Sequence, residues 1–132
     1  MEIVGRVPKL TGLLCEAFIC QGYVYRGQPI GNANVVYVCF GGVWHKLVID
    51  CGVIIWRRWE GLPNPWSDAS EDWECPHVDV GAEAGVVGHY LEDLRMLATA
   101  DVAARSHVMF LFDNGRRITI NNENDRSAFQ ID

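Results

Sequence analysis

Cys75, Pro76 and His77, with His89 further along, form the spacing in this chain that comes nearest to a metal site, since a thiolate and two imidazoles are zinc ligands. A structural zinc takes two close ligand pairs, whereas here one very short pair is followed by a single third ligand. Cys15 and Cys20 do not complete the set, because on an extended stretch they point to opposite faces. Ordinary loop residues are the simpler reading, so no cofactor is expected, and Cys75, His77 and His89 stand only as metal candidates. Nucleophilic catalysis would need a Ser or Cys held by a His and an acid, and no Gly-x-Ser-x-Gly elbow occurs. His45, between Trp44 and Lys46, reads as a boundary residue of a strand, and Gly81, Gly85 and Gly88 do not have phosphate-loop or dinucleotide spacing. Enzyme activity is not expected.

Charge is the stronger signal. No lysine or arginine lies between Arg58 and Arg95, a stretch that holds nine of the seventeen acids. It therefore carries −9, while the rest of the chain, with eleven bases against eight acids, carries +3. Carboxylates interrupted by tryptophans offer a partner a long-range steering field and aromatic anchors on contact. Glu60, Trp66, Asp68, Glu71, Asp72, Trp73, Glu74, Asp79 and Glu83 are accordingly the candidate partner-binding residues, and a protein with a basic surface is the expected partner. The competing reading is a solvated acidic loop whose tryptophans fold back over a sheet. Direct nucleic-acid binding is not expected, since the basic clusters reduce to Arg57-Arg58 and Arg116-Arg117.

These side chains must be positioned by strands. Val36, Val38 and Phe40 alternate, Gly41-Gly42 makes a turn, and Leu47 and Ile49 return. Near the C-terminus Val108, Phe110 and Phe112 alternate, Asp113-Asn114-Gly115 turns, and Ile118 and Ile120 return. Residues 53–59 read as a further strand after the corner at Asp50-Cys51-Gly52, and 128–131 as a short edge strand after a polar turn over 121–126. In 56–59 Trp56 and Trp59 have opposite parity, so at least one is a surface anchor unless the sheet is covered on both faces. Residues 60–96 read as a long acidic loop, ending in one short helix over 90–97 because Tyr90, Leu91, Leu94 and Leu97 fall on one helical face.

The expected fold is mainly β (α+β). Two strand-plus-hairpin units, 10–59 and 97–131, form an antiparallel sheet or sandwich, with the loop and helix between them. Residues 10–17 can be laid over 97–104, a faint internal repeat that β-patterning alone could also produce. A length of 132 residues with 49% hydrophobic and 21% charged residues suits one globular domain, 1–132. No apolar run approaches the roughly 20 residues that cross a bilayer, and no signal-like segment follows Met1, so a cytoplasmic protein without membrane contact is expected. Five cysteines, Cys15, Cys20, Cys39, Cys51 and Cys75, fit free thiols in a reducing compartment.

The runs Val35–Phe40, 44–50 and 52–56, the acidic Pro/Trp loop, and the hairpin 108–120 together resemble small cytosolic immunity proteins of bacterial toxin systems. The resemblance covers most of the chain as a pattern and carries over no family residue. It implies a non-catalytic inhibitor that binds the toxin domain of its own system. Two other readings stand beside it: a small-molecule or carbohydrate-binding domain using the Trp-rich half, and a metal-dependent enzyme around Cys75, His77 and His89.

Overall fold

Short strands separated by tight turns dominate the computed structural model, which describes residues 3–60, 66–68, 70–98 and 106–132. In chain order they are β1 (Ile3–Val4), β2 (Cys15–Gln21), β3 (Val24–Tyr25), β4 (Gln28–Pro29), β5 (Val35–Phe40), β6 (Val43–Asp50), β7 (Val53–Arg58), β8 (Trp66–Asp68), β9 (Trp73–Cys75), β10 (His77–Asp79), β11 (Leu91–Leu97), β12 (Ser106–Phe112), β13 (Arg117–Glu123) and β14 (Arg126–Ile131). One helical turn among the described residues, α1 (Val80–Ala84), follows β10. The fold is mainly β, and no helix is long and apolar enough to cross a membrane among the described residues.

Among the described residues three sheets result. The largest has the order β1-β7-β6-β5-β2-β10, antiparallel except for the parallel β1/β7 pair. The second is a meander, β11-β12-β13-β14, and the third is small, β4-β3-β9-β8. The expected hairpins are present, with turns set by backbone chemistry. Gly41 and Gly42 join β5 to β6 with positive φ at both residues, which twists a two-residue hairpin in the same sense as its strands. Asn124 and Asp125 do the same between β13 and β14, since Asn and Asp tolerate the left-handed region best among residues with a Cβ.

The first two sheets pack face to face. Phe18, Val36, Val38, Phe40, Leu47, Ile54 and Trp56 of one meet Leu91, Val108, Phe110, Phe112, Ile118 and Ile120 of the other in one buried cluster. Phe110 is at its centre, edge-on to Phe18 at 4.9 Å and within 6.3 Å of Phe40 and 6.4 Å of Trp56 between ring centroids. Polar groups cross the same gap in pairs, as buried groups must: Ser106 Oγ donates to Gly52 O at 2.9 Å and Trp56 Nε1 to Met96 Sδ at 3.2 Å.

Several sequence expectations are corrected. Residues 91–97 form strand β11, not a helix. A bulge between Leu91 and Asp93 adds one residue to the strand, so Leu91, Leu94 and Met96 pair with Phe112, Phe110 and Val108 on the core side. The extra residue gives Leu91 and Leu94 a helix-like spacing of three, while Tyr90 and Leu97 of the supposed apolar face are exposed. The helix lies earlier, at α1, where Asp79 caps it by accepting from Ala82 N at 3.1 Å. The long loop contains β8, β9 and β10, and the polar turn over 121–126 shrinks to Asn124-Asp125, with Asn121 and Asn122 inside β13. The edge strand is β14, beginning at Arg126. Of the proposed repeat, the second flank over 99–104 lies outside the described residues.

Candidate functional site

Strand parity divides the six-stranded sheet into a face buried in the sandwich and an outer face. Register places Ile19 and Gln21 of β2, Val35, Tyr37 and Cys39 of β5, Trp44, Lys46 and Val48 of β6, Ile55 and Arg57 of β7, and His77 of β10 on the outer face. Every residue of β5 is buried, so this face is covered too. Trp56 is 1% exposed in the sandwich, while Trp59, of the other parity, lies beyond the end of β7 at 38% exposure. Trp59 is exposed because it lies past the last residue of β7, Arg58, where the cover over β5 does not extend.

The third sheet and its neighbours supply part of the cover. Gly22 N donates to Pro76 O, and β3 pairs with β9, joining the arm over 22–31 to the acidic segment. Trp73 rests on Tyr25 at 4.8 Å and meets Tyr23 edge-on at 6.1 Å. Tyr37 of the outer face lies 5.9 Å from Trp59 and 6.1 Å from His77 between ring centroids. Burial, with Tyr23 and Cys75 alongside, raises the Tyr37 phenol above its ordinary pKa. Tyr23, Glu71, Trp73 and Cys75 line an open notch of about 320 Å³. Among the described residues its walls are aromatic and its carboxylate is that of Glu71, a combination that suits an aliphatic stem ending in a cation.

The nominated acids divide into groups. Glu71 and Asp72 occupy the exposed turn from β8 to β9, and Glu74 is exposed on β9. Asp72 is ion-paired with Arg26 at 3.3 Å and adopts φ 60°. Asp79 and Glu83 are exposed at the start of α1 and within it. Glu60 is apart from both, beside Trp44, Arg58 and Trp59. Trp66 and Asp68 are in β8, opposite Cys75 and Trp73 in register, and their side chains lie outside the described residues. Tyr23, Tyr25 and Arg26 escaped the sequence reading, because two-residue strands such as β3 and β4 carry no alternation to detect.

The metal candidates are held by separate partners. Cys75 is buried, His77 Nε2 is 2.8 Å from Gln21 Oε1, and His89 Nδ1 is 2.9 Å from Asp113 Oδ1. Burial lowers the His77 pKa, so its ring is neutral over a wider pH range than a free imidazole. Among the described residues, the ligand atoms that do gather are those of Asp50, Cys51 and Asp125, within 4.8 Å of one another and all exposed. Asp125 there accepts from the Cys51 N–H at 2.8 Å, which ties the turn after β6 to the turn after β13.

All five thiols are free, and only Cys51 is exposed. Burial pushes Cys15 up to about 12 and Cys39 to about 11, with Glu16 adding to the latter. Asp125, then Asp50, raises Cys51 as well, because neighbouring carboxylates disfavour a thiolate. Titration of the native protein with a chromogenic disulfide will therefore release one equivalent, slowly and faster as pH rises. Asp125→Asn will accelerate it, and unfolding in urea will expose the remaining four thiols. Rapid release of more than one equivalent from native protein would contradict the burial of Cys15, Cys20, Cys39 and Cys75. No family model matches the chain, and neither a curated protein nor a solved structure matches it.

Proposed function

We propose that the chain is a non-catalytic, cytoplasmic protein-binding inhibitor of the immunity type, which neutralises a cognate toxin domain with a basic surface. The observation that carries this reading is the aromatic notch of Tyr23 and Trp73 with Glu71 at its rim, flanked by exposed Asp72 and Glu74. A lysine or arginine entering it stacks its stem on the indole, gains a cation–π contact, and meets a carboxylate. Among the described residues, Asp72 is the one ion-paired acid of the nominated set, which leaves the field of the others directed at a partner. The charge balance of the segment, −9 with no internal base, supports the same polarity.

Trp73 should then behave as a binding anchor. Trp73→Ala is expected to weaken binding of the partner by about 2 kcal/mol or more, the scale of an aromatic hot spot, mainly through faster dissociation. Trp73→Phe, which keeps a ring over Tyr25, will recover much of it. Kinetic titration of both variants against the purified partner makes the check, with circular dichroism to confirm that both fold. Equal dissociation rates for Trp73→Ala and the parent protein would remove the notch from the interface.

A further inference from the structure

The other half of the outer face has the opposite charge. Lys46 of β6 and Arg57 of β7 are direct cross-strand partners on this surface, and Arg58, of the opposite parity and paired with His45 at the end of β7, also lines the groove there. Like charges set directly opposite on adjacent strands destabilise a sheet. Among the described residues none of the three is ion-paired, although the chain as a whole is acidic. The Lys46 ammonium instead sits over the Trp59 ring, 4.6 Å from its centroid, and Arg57 Nη1 donates to Trp56 O at 3.2 Å. Both contacts are compatible with a cation that still has unused donors.

These cations surround a groove. Val48 and Ile55, cross-strand partners, are half-buried and form an apolar floor, with Lys46, Arg57, Arg58 and Trp59 around it, enclosing about 430 Å³. A second hollow of about 520 Å³ adjoins it through Arg58 and Trp59 and is lined by Gly42, Val43, Trp44 and Glu60. Each volume is of the size that small ligands occupy. Three cations call for a ligand with more than one negative charge, and two indoles and an aliphatic floor call for a flat ring. Arginine beside lysine is the donor set that phosphate groups accept.

We propose that this groove binds a planar organic phosphate of the nucleoside diphosphate class, its ring against Trp59 and its phosphates on Lys46, Arg57 and Arg58. The bound phosphates offset the repulsion between Lys46 and Arg57 that the free protein carries. The site is separate from the notch of Tyr23, Trp73 and Glu71, so it stands or falls independently of the inhibitor reading.

The test uses the full chain with ADP, adenosine and inorganic pyrophosphate as probes, read by calorimetry and tryptophan fluorescence. ADP is expected to bind saturably. Adenosine, without charge, and pyrophosphate, without a ring, will each bind at least about tenfold more weakly. The double variant Arg57→Gln/Arg58→Gln should weaken ADP binding at least about tenfold, yet unfold in urea at the same or a higher concentration, since a like-charge contact has been removed. Trp59→Leu should lower ADP affinity and leave that of pyrophosphate unchanged. ADP that fails to saturate by about 1 mM, or that binds the arginine double variant as well as the parent, would overturn the proposal. So would equal affinity for ADP and pyrophosphate, the mark of simple counter-ion attraction. Self-association of the parent chain, abolished by the arginine double variant and unaffected by ADP, would assign the groove to a second copy's acids and overturn it likewise.

Discussion

Replacement of Glu71 and Glu74 by lysine together with Asp72 by asparagine will slow association with the basic partner by about tenfold or more at low salt. The three changes move net charge from −6 by five units to −1, all of it on one exposed turn and strand. Asparagine is the right replacement at position 72 because φ there is 60°, a conformation that Asn and Asp adopt more readily than Lys. Folding should survive, since the one ion pair lost, Arg26 with Asp72, is exposed on both sides and worth about 0–1 kcal/mol at most. Association rates measured from low to high salt make the comparison. The parent should lose rate steeply as salt screens the field, and the variant should start slow and change little. Unchanged rates and an unchanged salt slope would sink the choice of face.

Phe110→Ala should give the largest loss of stability of any single truncation, about 3–5 kcal/mol. Its ring is fully buried and touches Phe18, Phe40 and Trp56, three side chains from the opposing sheet. A cavity there cannot close by moving one neighbour, because those neighbours belong to three different strands of a hydrogen-bonded sheet. Edge-to-face and stacked ring contacts are lost together with the buried area. Phe110→Leu keeps most of the volume and should cost much less. Val87→Ala, at a residue 47% exposed, serves as a control within about 0.5 kcal/mol of the parent. Urea unfolding of the three variants decides it. A loss below about 1 kcal/mol for Phe110→Ala would mean that the two sheets do not close on this ring.

The parts of the fold that the sequence announced are those that local physics dictates. Alternation in β5, β6, β12 and β13 and the residues of their turns need no distant partner to be recognised, whereas the opposite parity of Trp56 and Trp59 did not say which ring is buried, and the fold assigns Trp56 to the core. The misreadings have local causes as well. In β11 a bulge imitates helical spacing, and in the acidic segment three-residue strands are too short to alternate. The third sheet depends on β3 pairing with β9, far along the chain, so Tyr23, Tyr25 and Arg26 could not be assigned to the notch from spacing alone. Charge was different. The acidity of Glu71, Asp72 and Glu74 was evident from composition, but their grouping beside Trp73, and the separation of Glu60 from them, required the fold. The basic groove has the same origin: Lys46 and Arg57 become neighbours only through the β6/β7 register.

The inhibitor reading turns on whether this acidic face recruits a protein. The most direct measurement is parallel capture from the source organism's lysate by the tagged parent chain and by the Glu71→Lys, Asp72→Asn, Glu74→Lys variant. Retained proteins are eluted with rising salt and identified by mass spectrometry. One basic protein, released by salt, inhibited by the parent chain in its own activity and missing from the variant, is the predicted result. Capture of no protein, or of the same protein equally by parent and variant, would contradict a partner-binding role for this face.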